Sequence, residues 1–147
     1  MAPAIKKLAA QCLIFYLDKA MSYQIKLLSL PAVGNYVITF GRGVLRTQEL
    51  ERLLVEVTRA AQSLADCKVL IDVQDATLQI SPMDLGKLLT EMQIDSWLGD
   101  NKIAVLAKPP VEQHNLLKWL TRSLSIMQVN IALFDQLETA LRWLTEA

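Results

Sequence analysis

The reading of this chain turns on the stretch Lys68-Val69-Leu70-Ile71-Asp72-Val73. Val69, Leu70, Ile71 and Val73 leave no polar–apolar alternation, so the segment reads as a strand buried on both faces, which requires helices on either side of its sheet. Residues 74–80 read as a loop. Ser81-Pro82-Met83-Asp84 then opens a helix, with Ser81 as cap, Pro82 at the first helical position, where its missing N–H costs nothing, and Asp84 in the first turn. Leu85, Leu88, Leu89 and Met92 follow at spacings of three and four as the inner face of that helix.

Outward toward the C-terminus the same unit recurs. Residues 102–107 form a short buried strand, Pro109-Pro110 enforces an extended turn, and Leu116, Leu117, Leu120, Leu124 and Met127 trace a helix. Residues 129–134 read as a strand. Asp135 caps a last helix, with Glu138 completing a capping box and Leu137, Ala140, Leu141 and Leu144 inside. Toward the N-terminus, residues 23–29 and 36–40 are strands joined by a turn containing Pro31, Gly34 and Asn35. Gly41-Arg42-Gly43 breaks the second strand. Thr47 then caps a helix with Leu50, Leu53, Leu54, Val57, Ala61 and Leu64 on one face and an Arg52–Glu56 pair on the other. The order β-β-α-β-α-β-α-β-α defines an α/β sandwich: a mixed, mostly parallel sheet with an initial antiparallel hairpin and four helices.

A chain of 147 residues holds one such domain, placed at residues 23–147. Residues 1–22 form an N-terminal extension, read either as an added helix or as an over-long start with Met21 as the true first residue. Lys6 and Lys7 before an apolar run imitate a signal peptide, but Asp18 and Lys19 stand where a cleavage site should begin, and the run is about half the ~20 residues of a membrane span. At 52% hydrophobic and 20% charged residues the chain is too apolar for disorder. Lys+Arg 15 balances Asp+Glu 15 with no basic cluster, which argues against nucleic acid. Cys12, Cys67 and the single His114 supply neither a disulfide scaffold nor a metal site. The expectation is a cytoplasmic protein without metal or cofactor.

The segment Val69-Leu70-Ile71-Asp72-Val73-Gln74-Asp75-Ala76-Thr77-Leu78-Gln79-Ile80-Ser81-Pro82-Met83-Asp84 resembles the STAS domain, the SpoIIAA-like fold of anti-sigma-factor antagonists and sulfate-transporter tails. In that family an apolar strand ends in Asp, and a loop of about seven residues leads to Asp-Ser-Ser-Gly, whose first serine is the phosphorylated switch. Without a gap, Asp72 falls on the strand Asp and Ser81 on the switch serine. Ile80, Pro82 and Met83 depart from the pattern. The segment from Val129 to Asp135, followed by Ala140-Leu141-Arg142-Trp143-Leu144, resembles the divergent SpoIIAA-like branch. The resemblance implies a regulatory protein-binding module without catalysis.

Ser81 is the phospho-acceptor candidate, because a helix N-terminus favours added phosphate. Pro82 removes one of the donors and Asp84 adds a like charge in the same turn, so Ser81 is expected to act as a cap instead. A Ser-His-Asp triad from Ser81, His114 and Asp72 or Asp75 lacks the Gly-x-Ser-x-Gly elbow, and Gly41-x-Gly43 lacks the third glycine of a dinucleotide loop. Cys67 reads as a core filler. Trp97, Trp119 and Trp143 lie on or at the ends of helical segments, where tryptophans pack at core edges or serve interfaces.

Partner-binding candidates are Asp75, Ser81, Pro82, Asp84, His114, Trp119 and Trp143. Two readings follow. One is a regulatory protein docked around Ser81 and its helix. The alternative is an apolar small molecule or lipid in a groove between helices and sheet, by analogy to SEC14-type domains. A homodimer paired through Trp-bearing helices is compatible with both. An open pocket lined by Leu, Met and Trp would favour the second reading, and a filled core beneath an exposed apolar helix the first.

Overall fold

The structure is a computed structural model, described over residues 14–17, 23–30, 34–63, 67–92, 101–108, 111–126 and 129–146. Strands β1 (Ile14–Leu17), β2 (Tyr23–Leu30) and β3 (Gly34–Leu45) precede α1 (Thr47–Gln62). Then follow β4 (Cys67–Leu78), α2 (Pro82–Glu91), β5 (Lys102–Leu106), α3 (Val111–Ile126), β6 (Ile131–Phe134) and α4 (Leu137–Thr145). The sheet order is β1-β2-β3-β4-β5-β6, antiparallel from β1 to β3 and parallel from β3 to β6. This is the α/β sandwich expected from the element order.

Side-chain alternation splits the core into two layers. Val37, Val69, Ile71, Ile103 and Val105 point to one face, where the inner stripes of α1, α2 and α3 pack. Tyr36, Ile38, Leu70, Ala104 and Leu106 point to the other, covered by Ala140, Leu141 and Leu144 of α4. The near-continuous apolar run of β4 is thus the sequence of a strand roofed on both sides.

Several sequence expectations are corrected. The described part of the N-terminal extension, Ile14–Leu17, is a strand paired with β2, where a helix was one of the two readings. Gly41-Arg42-Gly43 does not end β3, and residues 74–78 are not loop. The two strands stay paired to Leu45 and Leu78 through a register shift between Phe40↔Asp72 and Arg42↔Asp75, which puts the extra residue on β4. Gly41 suits the close packing there: an added Cβ would stand 3.1 Å from Leu45 Cδ1 and 3.5 Å from Val73 Cγ1. Gly43 takes φ +74°, a left-handed conformation open to glycine.

Thr47 is the first helical residue and Arg46 the cap, its N–H donating to Glu49 Oε2 at 3.2 Å. Gln136, not Asp135, caps α4, with no side-chain cap bond. Glu56 also pairs with Arg59 at 3.2 Å. β6 starts at Ile131, two residues later than expected. Residues 1–13 and 18–22 of the extension, Pro31, Leu64, Trp97, Pro109, Pro110 and Met127 lie outside the described residues. No helix among the described residues is long and apolar enough to cross a membrane.

Candidate functional site

Only Gln79, Ile80 and Ser81 connect β4 to α2, and the Gln79 N–H donates to the Leu45 carbonyl at 2.8 Å. That bond continues the β3–β4 pairing almost to the helix. Ser81 then adopts an extended conformation (φ −75°, ψ 156°), and its Oγ accepts from the Asp84 N–H at 3.1 Å. Leu85 N–H closes the first helical turn on the Ser81 carbonyl at 2.9 Å. The cap, the proline and the first-turn carboxylate therefore sit where the sequence puts them, and their side chains face solvent.

Between Pro82 and Asp84, Met83 is 82% exposed. One turn later comes Gly86, and a Cβ placed on it would lie 3.6 Å from Trp119 Cη2. The Trp119 indole of α3 thus lies across the α2 backbone while remaining 46% exposed. Ser81, Pro82, Met83 and Asp84 form the exposed opening turn of α2, and Trp119 reaches the same helix at Gly86.

The other sequence candidates lie elsewhere. Asp75 is exposed on the outer part of β4, opposite Arg42. Asp72 is mid-strand, and its Oδ1 accepts from the Gln74 N–H at 2.9 Å within the register shift. Burial raises the Asp72 carboxyl above its ordinary range, with the Gln74 N–H opposing, nearby Asp75 reinforcing and Lys108 opposing. His114 is on the flank of α3 that meets β6, and no hydrogen bond joins it to Ser81, Asp72 or Asp75 among the described residues.

Trp143 belongs to the α4 layer on the opposite face of the sheet. It packs on Phe134 at a ring-centroid distance of 5.5 Å, beneath Lys102 Nζ, which is 4.6 Å from the ring and donates to the Trp143 and Glu146 carbonyls. Cys67 is buried, and burial pushes its thiol up to about 11 despite a backbone bond from Val37 that lowers it; the thiolate a nucleophile requires is therefore disfavoured.

Beneath the helices, α1, α2 and α3 enclose with the sheet a hollow of about 70 Å³ lined wholly by apolar side chains, Leu53, Leu89 and Val105 among them. Sequence reasoning passed over Met83, which it registered only as a departure from a family pattern. It also passed over Lys118 and Arg122, which follow His114 at successive four-residue intervals, a pattern that was legible but pointed nowhere without β6 beside it.

This architecture is shared with solved structures. A crystal structure of an uncharacterised protein from the DUF3478 family with a SpoIIAA-like fold, from Shewanella loihica PV-4, is 17% identical and superposes with a TM-score of 0.55 over 88% of this chain and 98% of that one. The anti-sigma factor antagonist SpoIIAA in its unphosphorylated form matches at TM-score 0.48 and 13% identity, over 84% of this chain and 99% of its own. The Bacillus cell fate determinant SpoIIAA in its phosphorylated form matches at 0.47 and 13%, over 81% and 98%. No protein-family profile and no curated protein matches the chain. The fold is SpoIIAA-like, as the residues around Asp72 and Ser81 led one to expect.

Proposed function

We propose that this domain is a non-catalytic regulatory module that docks a protein partner on the α2–α3 edge, with Ser81 as a helix cap and not as a phosphorylated switch. The observation that carries this reading is the exposure of Met83 (82%) in the first turn of α2 and of Trp119 (46%), whose ring reaches α2 one turn on at Gly86. An exposed methionine and indole supply adaptable apolar contact, and Ser81 and Asp84 supply a polar rim. Ser81 Oγ is already engaged by the Asp84 N–H, and Pro82 and Asp84 give added phosphate one donor fewer and a neighbouring like charge.

The lipid reading finds less support. At about 70 Å³ the interior hollow is less than half the ~150 Å³ that accommodates benzene in a protein core.

The test is affinity capture from the source cells with the full chain and with M83D and W119S variants, identifying retained proteins and extracted lipids by mass spectrometry. A protein held by the parent chain and lost by both variants supports docking at this edge. Retention that the substitutions leave unchanged, or recovery of lipid alone, overturns it.

A further inference from the structure

The other flank of α3 carries an unrelated feature. His114, Lys118 and Arg122 recur every four residues of α3 and so form one stripe along the helix. With Ile131 and Leu133 of β6 they line a recess of about 370 Å³, within the ~300–1,000 Å³ of small-molecule sites. Its hydroxyls are already committed: Thr121 donates to the Lys118 carbonyl at 3.1 Å and Ser125 to the Ile131 carbonyl at 3.4 Å. Its cations are not. Among the described residues no acidic side chain lines the recess.

What sets this stripe apart from an ordinary solvated basic face is the apolar wall of Ile131 and Leu133 opposite it. One wall calls for negative charge and the other for hydrocarbon, which together specify an anion with an apolar body. We propose that the recess between α3 and β6 binds a small organic carboxylate, its head between Lys118 and Arg122 and its apolar body on Ile131 and Leu133. The Arg122 guanidinium matches a planar carboxylate in a two-point contact, and the Lys118 ammonium adds a point charge. This site stands apart from the Met83–Trp119 edge, so either proposal survives the failure of the other.

Hexanoate, hexanol and hexylamine, titrated separately against the isotope-labelled full chain and followed by backbone amide shifts, test it. Hexanoate is expected to give saturable shifts across residues 114–125 and 131–134, with hexanol and hexylamine binding more weakly. Lys118 and Arg122 are exposed, so a K118Q/R122Q double variant keeps the core, and it should bind hexanoate about tenfold or more weaker through loss of charge-assisted hydrogen bonds. Absence of saturable shifts, equal binding of the alcohol or amine, or undiminished hexanoate affinity in the double variant would each overturn the assignment.

Discussion

Two side chains define what single residues contribute here. The Ser81 Oγ satisfies the Asp84 N–H, one of the orphan donors at the start of α2. Ser81→Ala should therefore lower stability by about 1 kcal/mol, read as a shift in the urea midpoint, whereas Ser81→Asp, which keeps an acceptor and adds charge at the positive helix end, should lose less. Cys67 makes stability depend on pH at the alkaline end. Its thiol titrates near 11 in the folded chain against 9.0 as a free side chain, so above about pH 9 the unfolded chain loses a proton that the folded one keeps. The contribution is full below 9 and declines as pH climbs toward 11. Urea midpoints across that interval should fall more steeply in the parent chain than in Cys67→Ala, and parallel slopes would show that the thiol is not shielded.

Elements were legible in the sequence where one local rule decided them. The β4 run, the Ser81-Pro82 opening of α2 and the inner stripes of α1, as far as Ala61, and of α4 each follow from a period or a cap, and they stand as read. What failed was decided by partners distant in the chain. Gly41-Arg42-Gly43 carries a strand-breaking composition, yet β4 pairs past it because a register shift absorbs the extra residue and Gly43 takes the left-handed turn of the backbone. Asp135 lost the capping role to Gln136 by one position, a boundary that local pattern does not resolve. The candidate site was half legible, since chemistry marked Ser81 and Asp84 but exposure alone marks Met83. At the same scale, Gly86 is a helical glycine whose added methyl would meet Trp119 at ordinary contact distance. Gly86→Ala should raise stability by about 0.5–1 kcal/mol through helix propensity, and a loss would mean that the indole requires the bare backbone.

Among the described residues the sheet has two unequal covers, three helices on one face and α4 on the other. Leu53 and Leu144 are both fully buried, one in each layer. Leu53→Ala and Leu144→Ala should each cost about 2–5 kcal/mol, and both should unfold in one transition, because the strands between them belong to both layers. Separate transitions for near-UV and far-UV signals in Leu144→Ala would show that the α4 cover melts by itself.

The short junction after β4 has a mechanical meaning. With Gln79 hydrogen-bonded to Leu45 and Ser81 already holding the first turn, α2 is mounted on the tip of a twin-strand spar with almost no slack. A pull or push on that tip travels along the spar to the bend beside Gly41, so whatever grips α2 also loads the middle of the sheet.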